Sequence, residues 1–265
     1  MECILKHYSN SNTAFLHPKG KKATNELLKY LECKENENVL EFGFGTGATL
    51  VYFSSLNEKT NFFGLDSNSF MLKKAKERLK FCKIKNVELL LNDKAAPFPF
   101  KTNFFDKIYI ESVLAIQDND DLEKQIEELF RILKPNGKLI INEGIWSDNF
   151  PLDEIKKMNI FCTSNFGIIQ SNEKYPYIND WIQLFKQNSF IVEKTINLNT
   201  LSFSKKHIRN TSYKQKLSKV FTLIGYITSN INFEYIKQNV KYKKAMKITS
   251  NKGDFLTGYL IVLTK

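Results

Sequence analysis

Residues 38–50 read NVLEFGFGTGATL, an apolar run followed at once by three glycines at alternate positions, Gly43, Gly45 and Gly47. The apolar run at 39–42 predicts a buried strand, and residues 48–54 predict a helix. Glycines at such a turn allow positive φ and let a ligand approach the main chain closely, while the helix N-terminus offers unpaired N–H groups. The stretch therefore predicts a cradle for a nucleotide-like ligand.

Two acidic residues near these glycines restrict the kind of ligand. Glu41 precedes Gly43 on the strand, where a carboxylate would repel a pyrophosphate but could accept hydrogen bonds from an ammonium group. A second predicted strand, 61–65, ends in Asp66, near the distance at which an acidic residue meets ribose hydroxyls in βαβ cradles. The pattern E-x-G-x-G-x-G resembles motif I of the class I S-adenosylmethionine-dependent methyltransferases, whose ligand carries an ammonium and no phosphate. A structural turn and an NAD site are the alternatives.

A second stretch extends this resemblance. Residues 133–143, LKPNGKLIINE, follow a strongly periodic predicted helix at 120–133 and resemble the fifth-strand region of the same family. The resemblance covers residues 39–145. It implies an α/β fold, a Rossmann-like doubly wound sheet of seven strands in the order 3-2-1-4-5-7-6 with an antiparallel last strand.

The parts of the chain outside this core indicate a branch of the family. Helical additions at 146–179 and 199–254, with a closing strand at 255–264, resemble the enzymes that methylate small molecules such as quinol and tocopherol precursors, glycine derivatives and natural products. Residues 1–37 are predicted to form an N-terminal lid and a helix, and residues 38–145 the S-adenosylmethionine-binding core. Residues 146–254 would hold the remaining core elements and the two helical substrate caps. Residues 255–265 would form the final strand of the core. Residues 1–16 are predicted to be a flexible lead-in.

The remaining elements follow from periodicity and turn signals. Predicted helices cover 20–31, 68–83, 152–161, 180–187, 213–227 and 233–247. Predicted strands cover 87–91, 104–110, 138–145 and 190–198.

The resemblance also implies which residues hold the cofactor. Glu41 and the glycine main chain would bind the methionine end, Asp66 the ribose, and Met71 the ribose or adenine. Adenine would meet a residue just after the third strand, where Asp93 is favoured over Asn92. The full predicted cofactor set is Glu41, Gly43, Gly45, Gly47, Asp66, Ser67, Met71, Asn92, Asp93, Lys94 and Glu111.

Methyl transfer from a sulfonium is an in-line displacement on an already activated donor, so we expect proximity and orientation to dominate. In several relatives a histidine after the fourth strand can act as a base, whereas here Ala115, Ile116 and Gln117 occupy that run. The candidate catalytic residues are His17 and Glu111. The candidate acceptor contacts are Tyr8, His17, Gln117, Trp146, Tyr175 and Trp181, with Phe166 and Tyr213 as further aromatic candidates.

The composition limits the class of protein to which the chain can belong and its expected cellular location. With 265 residues, 42% of them hydrophobic and 25% charged, the chain fits one large α/β domain with insertions, or at most two domains. No apolar run approaches the roughly 18 residues needed to span a membrane, and no signal-peptide pattern begins the chain. We therefore expect a cytoplasmic monomer or homodimer. The four cysteines are scattered without a C-x-x-C pair, so no metal site is predicted.

The net charge of +11 is concentrated in one segment. Residues 201–250 contain ten lysines and one arginine against one glutamate, 11 − 1 = +10. Such an excess favours an anionic acceptor, an acidic carrier protein, a membrane surface or nucleic acid, although a compositional bias toward lysine would also produce it. If this excess is functional, we expect a basic patch beside the opening of the acceptor site. Its residues would be Lys205, Lys206, Arg209, Lys214, Lys216 and Lys219.

Two rival functions remain. One is a nucleic-acid methyltransferase that uses the basic 201–250 segment, and the other is a non-catalytic cofactor-binding partner subunit. Against the first, residues 111–114 read ESVL where amino-group nucleic-acid methylases keep D/N-P-P-Y/F. We therefore expect a small-molecule acceptor, with O, N or C as the methylated atom.

Overall fold

A computed structural model of the chain describes residues 3–15, 17, 19–93, 96–201, 212–250 and 253–265. Within these ranges the strands form a seven-stranded sheet. In chain order the strands are β1 Asn38–Phe42, β2 Asn61–Asp66, β3 Val87–Leu91, β4 Phe105–Glu111, β5 Leu133–Trp146, β6 Ile191–Asn197 and β7 Leu256–Thr264. They pair in the order β3-β2-β1-β4-β5-β7-β6, with β7 antiparallel to both neighbours. The predicted strand order and antiparallel last strand are confirmed.

The described helices are α1 Ile4–Asn10, α2 Lys21–Leu31, α3 Ala48–Ser54, α4 Ser69–Phe81, α5 Asn119–Ile132, α6 Leu152–Phe166, α7 Ile178–Gln187, α8 Tyr213–Ser229 and α9 Phe233–Ser250. Helix α6 runs five residues past the predicted end at 161. The prediction of a flexible lead-in was wrong, because α1 lies within it. Ile4 and His7 on α1 are buried, and α1 packs against α4 and α9. So short a helix depends on tertiary packing, which a local pattern does not reveal.

The sheet is covered on both faces. Helices α5 and α7 pack on one face through residues such as Leu122 and Leu184. Helices α2, α3 and α4 pack on the other through residues such as Leu27 and Leu50. Because β1, β2 and β4 run parallel, their carboxyl ends meet at one edge, where sheets of this kind bind ligands.

Strand β5 begins earlier than predicted. Helix α5 ends at Ile132, and Leu133 already pairs with Phe105 of β4. A register shift follows before Lys138 pairs with Lys107. Residues 134–137, between the predicted helix and the predicted strand, therefore form an irregularity within the strand, where Asn136 has a φ of 62°.

The two last helices pack against other helices, and α9 contributes Tyr242 and Ala245 to a buried apolar cluster. Helix α8 packs on α3 and α4, whereas α9 packs on α6 and α1. Across the described part of the chain, no helix is long and apolar enough to cross a membrane.

Candidate functional site

The three glycines after β1 form a cradle that other residues could not build. Gly43, Gly45 and Gly47 have φ values of +77°, +51° and +73°, which side-chain-bearing residues rarely adopt. A Cβ atom on Gly43 would lie 2.1 Å from Cγ2 of Val113, and one on Gly47 would lie 3.0 Å from Cβ of Ala75. A Cβ atom on Gly45 would meet nothing within 4 Å. Packing thus requires glycine at 43, while Gly45 faces open space.

Asp66 at the end of β2 fixes the shape of this cradle. Its Oδ2 accepts a hydrogen bond from the Gly45 N–H at 3.0 Å, and its Oδ1 accepts one from the Asn68 N–H at 2.9 Å. The Asn68 side chain in turn caps α4 by accepting from the Phe70 and Met71 N–H groups. The same carboxylate therefore orders the glycine turn and borders the ligand space.

A cavity of about 300 Å³, here called the first cavity, lies over the cradle at the carboxyl ends of β1, β2 and β4. The sequence-predicted residues on its wall are Glu41, Gly43, Gly45, Asp66, Ser67, Met71, Glu111, His17 and Gln117. Gly47 is not on this wall but begins α3 as its N-cap. The structure thus brings most of the predicted cofactor residues together in one space.

A small recess of about 50 Å³ adjoins the first cavity beyond Asp66. Its wall includes Asn92, Phe98 and Gln125. Asn92 is half-buried there, whereas Asp93 is exposed. Lys94 lies outside the described residues.

Glu41 is a carboxyl group with little access to water, since it is only 4% exposed. The hydroxyl of Tyr109 on β4 donates a hydrogen bond to Glu41 Oε2 at 2.9 Å. Burial raises the pKa of Glu41 well above its usual value, and the nearby charges of Glu111 and Asp66 add to this. The hydrogen bond from Tyr109 acts in the opposite direction. A positively charged group in the first cavity would stabilise the ionised form of Glu41.

Glu111 at the end of β4 is held by donors from three elements. Its carboxylate accepts hydrogen bonds from Thr24 Oγ1 at 3.0 Å, Thr49 Oγ1 at 3.0 Å and Asn142 Nδ2 at 3.2 Å. His17 Nε2 lies 3.4 Å from Glu111 Oε1, and both side chains are 4% exposed. The two candidate catalytic residues therefore lie side by side in a buried polar cluster.

Both ring nitrogens of His17 have protein neighbours. Nε2 lies 3.0 Å from Thr24 Oγ1, and Nδ1 lies 3.1 Å from Asn142 Nδ2. Because Asn142 Nδ2 also donates to Glu111, it is an amide nitrogen and Nδ1 of His17 is the acceptor. The ring proton then resides on Nε2, facing Glu111. This arrangement suits a positioning role for His17.

A second cavity of about 430 Å³ adjoins the first. Residues common to both walls are Leu5, Phe15, His17, Ser112, Ile116 and Ile168. The second cavity is mainly apolar, with α6 contributing Cys162 and Phe166 and α9 contributing Met246. The two cavities therefore form one chamber with a polar and an apolar part.

Glu143 is a polar group on the wall of this apolar part that sequence reasoning missed. Its Oε1 accepts hydrogen bonds from the Val113 N–H at 2.8 Å and the Leu114 N–H at 2.9 Å. Its Oε2 is buried and has no hydrogen-bond partner among the described residues. Burial raises the pKa of Glu143 to about 7, against the effect of the main-chain hydrogen bonds. Its place at the end of LKPNGKLIINE, beside the end of β4, was the available signal.

The structure places the two predicted tryptophan contacts elsewhere. Trp146 is fully buried, and its indole N–H donates to the main-chain oxygens of Ser171 and Asn172. Trp181 is fully buried in the cluster between the sheet and α7. Large aromatic rings supply much core packing area, and these two serve that purpose.

The tyrosine candidates are not on the walls of the two cavities that form the chamber. The Tyr175 hydroxyl donates to Glu123 on α5 at 2.7 Å. The Tyr8 hydroxyl lies 3.9 Å from the sulfur of Met246, and Tyr213 is 65% exposed. Of the aromatic candidates, Phe166 is the one found on the wall of the second cavity.

Arg78 on α4 is a buried cation that joins three parts of the structure. Its Nη2 donates to the Asn12 oxygen at 2.6 Å, its Nε to the Thr46 oxygen at 2.8 Å, and its Nη1 to Ser218 Oγ at 2.9 Å. Burial lowers the pKa of Arg78 to about 10. The N-terminal segment, the cradle and α8 are thus attached to one side chain.

Three of the six residues of the predicted basic patch lie among the described residues. Lys205, Lys206 and Arg209 lie outside the described residues. Lys214 forms an ion pair with Glu58, and Lys216 and Lys219 are exposed on α8.

Comparisons with known proteins agree with this geometry. A family model described as "Methyltransferase domain" matches residues 33–189. A demethylmenaquinone methyltransferase of Listeria monocytogenes serotype 4b is 31% identical over 142 residues, which are 52% of this chain and 57% of that protein. The chain therefore spans little more than half the length of such relatives.

Two solved structures illustrate the likeness in fold. Phosphoethanolamine N-methyltransferase 2 of Haemonchus contortus gives a TM-score of 0.67 at 17% identity, covering 99% of this chain and 57% of that one. The [4+2]-cyclase SpnF gives a TM-score of 0.65 at 12% identity, covering 92% and 80%. At these identities the likeness shows the fold alone, and the two proteins are named for different reactions.

Proposed function

The chain belongs to the methyltransferase-domain family, and from that premise we propose that it transfers a methyl group from S-adenosylmethionine to a small, partly apolar acceptor. The observation that carries the proposal is a buried carboxyl, Glu41, beside a glycine cradle in a cavity that opens into an apolar chamber. The chamber volumes lie in the range of small-molecule sites, about 300 to 1,000 Å³.

The residues of the first cavity fit S-adenosylmethionine. Glu41 would bind the ammonium group, because burial disfavours its ionised form and a nearby positive charge would stabilise that form. The Gly45 main chain lies against open space where the methionine part would pass. Asp66 would bind the ribose, with Ser67 and Met71 beside it on the wall. The adenine ring would bind at the recess beside Asn92.

When bound, S-adenosylmethionine supplies a methyl group on a positively charged sulfur. The contribution of the chain is then to exclude water and to align the acceptor, which can supply effective molarities on the order of 10⁵ M or more. Ser112, Ile116 and Phe15 lie where the two cavities meet. The reacting atom of the acceptor would lie beside them.

Glu143 is the residue that we assign to the polar end of the acceptor. Its buried Oε2 would accept a hydrogen bond, or a proton, from a hydroxyl or amine of the acceptor. Both nitrogens of His17 are engaged by the cluster around Glu111, so His17 would orient that cluster. Demethylated quinol-type acceptors, which combine hydroxyls with an apolar body, are the first class to test, in keeping with the name of the Listeria relative.

Several finer points remain predictions. They are an anionic or carrier-bound acceptor, the cytoplasmic location and the monomeric or homodimeric state.

The function is tested in two steps. Isothermal titration calorimetry with S-adenosylhomocysteine measures cofactor-site binding, and a Glu41→Gln variant should bind more weakly. Transfer of labelled methyl from S-adenosylmethionine to a demethylated quinol then measures activity. Binding without transfer to an oxygen, nitrogen or carbon atom of any acceptor tested would favour a non-catalytic subunit, and a folded chain that binds no S-adenosylhomocysteine would refute the proposal.

The acceptor assignment has its own pair of variants. Glu143→Gln should lower kcat for a hydroxyl acceptor while leaving S-adenosylhomocysteine affinity unchanged. Gln170→Ala, on the same wall, provides the matched control for altered packing in the second cavity. Equal kcat values in the two variants would remove the role given to Glu143.

A further inference from the structure

The surface of α8 and α9 is unusually apolar. Of the 19 large apolar side chains that are exposed in the described residues, 12 lie between positions 213 and 248. The most exposed are Ile231 at 78% and Phe233 at 74%, next to the connection between the two helices. We call residues 220–236 the apolar tip. It contains one charged residue, Glu234, in 17 positions.

Lysines flank the apolar tip on both sides. Residues 212–250 contain eight lysines and one glutamate, 8 − 1 = +7. The exposed lysines of this segment are Lys216, Lys219, Lys237, Lys241, Lys243, Lys244 and Lys247. Their number gives the surface a strongly positive field at the edges of an apolar centre.

The exposed apolar side chains of α8 lie off the face with which this helix packs. The face that packs on α3 and α4 holds Phe221 and Gly225, both buried. Val220, Leu223, Ile224 and Ile227 recur at helical spacing on the outward face, and all are exposed. A contiguous apolar patch of this kind marks an interaction site.

Charge decides which partner fits this surface. In a twofold contact between copies of the chain, the patch would meet itself and bring lysines opposite lysines. An anionic lipid surface would instead complement the lysines, while the apolar side chains enter the boundary between headgroups and acyl chains.

The apolar surface continues toward the candidate site. A third cavity of about 450 Å³ adjoins α8, with Leu223, Tyr226 and Val51 on its wall. Phe15 lies on the walls of all three cavities. The first and third cavities thus share wall residues from the N-terminal segment and from α3, namely Thr13, Phe15 and Ala48.

We propose that α8 and α9 dock on an anionic lipid membrane surface, with the apolar tip inserted at the interface and the flanking lysines over the headgroups. This property is independent of the proposed function. A chain that transfers no methyl group would still bind lipid in this way.

The test is flotation of the full chain with vesicles of phosphatidylcholine alone or mixed with phosphatidylglycerol. We expect binding to the mixed vesicles only, weakened by salt because the screening length falls to about 3 Å at 1 M. Ile231→Ser should weaken binding roughly tenfold, since it removes one inserted aliphatic side chain. Ile191→Ser on β6, where Ile191 is 64% exposed, is the matched control and should not change binding.

Charge reversal is tested separately. Lys243→Glu combined with Lys244→Glu should weaken binding by at least about tenfold, as each lysine near an anionic surface contributes on the order of 1 kcal/mol. Lys124→Glu combined with Lys186→Glu, on α5 and α7 across the sheet, makes the same change in net charge and should have a much smaller effect.

Three results would overturn the proposal. The first is absence of binding to the mixed vesicles, and the second is equal binding by Ile231→Ser and Ile191→Ser. The third is a dimer in sedimentation velocity that Ile231→Ser dissociates while vesicle binding is unaffected, which would make the apolar tip an interface between copies.

Discussion

Tyr109 and Glu41 lie side by side on the two central strands, and the phenol donates to the carboxylate across 2.9 Å. Both side chains are buried, so this hydrogen bond is the main protein contact that favours the ionised form of Glu41. Burial and the negative charge of Glu41 raise the pKa of Tyr109 well above its usual value, which keeps the phenol a donor. The charge that would bind an ammonium group thus depends on a neighbouring strand.

The first prediction concerns Tyr109→Phe. Without the donor, the pKa of Glu41 rises further, so the ionised form is less favoured at any given pH. We expect the affinity for S-adenosylhomocysteine to fall roughly tenfold or more, the value for a hydrogen bond to a charged group. Because binding needs the ionised carboxyl, affinity should increase as pH rises through the pKa of Glu41, and this increase should move to higher pH in the variant. Calorimetry across pH measures both effects.

Tyr52→Phe is the control for this experiment. Tyr52 donates to Asn25 at 2.9 Å and lies outside the first cavity, so its removal should leave the pH profile unchanged. Identical profiles for Tyr109→Phe and the unchanged chain would contradict the role of Tyr109.

The second prediction separates two neighbouring residues at the recess. The Asn92 Nδ2 donates to the main-chain oxygens of Asp93 and Ala96, which leaves Oδ1 as the acceptor for the adenine amino group. We expect Asn92→Ala to weaken S-adenosylhomocysteine binding by roughly tenfold. Asp93→Ala should leave binding unchanged, because Asp93 is exposed. If calorimetry instead shows that Asp93→Ala weakens binding and Asn92→Ala does not, Asp93 is the adenine contact, as the sequence resemblance implied.

The third prediction compares alanine at two cradle glycines. Both substitutions force a side chain into positive φ, which costs about 1 to 2 kcal/mol. Gly43→Ala also drives a methyl group into Val113, so its free energy of unfolding should fall by roughly 1 to 3 kcal/mol more than that of Gly45→Ala. Gly45→Ala, which points into open space, should chiefly reduce S-adenosylhomocysteine affinity. Urea unfolding and calorimetry on the two variants check this pairing, and equal losses of stability would argue against the tight contact at Gly43.

The fourth prediction concerns pH and stability through Glu143. Its folded pKa is about 7, above the roughly 4.3 of an unfolded glutamate. The folded state therefore binds more protons between these values, and the contribution of Glu143 to stability falls as pH rises through that window. Glu143→Gln does not lose stability in this way, so above the window it should be the more stable protein by up to roughly 4 kcal/mol, with little difference below it.

Urea unfolding of both proteins across the window measures this difference. Glu127→Gln on α5 is the control, because Glu127 is exposed. A stability difference that does not change with pH would show that Glu143 keeps one ionisation state throughout.

The parts of the fold that sequence predicted are those with strong local patterns. The cradle at 43–47 followed from glycine spacing, and the strand order was implied by the family resemblance; the structure has both. Helix α1 was missed because its stability comes from burial of Ile4 and His7 against distant elements. Local patterns carry no information on such contacts.

Long-range contacts explain the other misses. Arg78 lies in a lysine-rich helix and resembles a surface residue in sequence, but its partners lie far away along the chain. Trp146 and Trp181 were candidate acceptor contacts as large aromatics near the insertions, yet both complete the core. Glu143 is recognised as a candidate site residue only from the second cavity, which it lines together with four segments that are distant along the chain.

Arg78 also bears on how the chain would respond to a membrane. The guanidinium holds α8 through Ser218, the cradle through Thr46 and the N-terminal segment through Asn12. A displacement of α8 at a lipid surface would have to break these bonds or carry the cradle with it. Lipid affinity and cofactor affinity would then share a coupling free energy, and reciprocity requires that each ligand change the affinity for the other by the same factor. Arg78 would then be the contact through which attachment to a lipid surface changes the affinity for the cofactor.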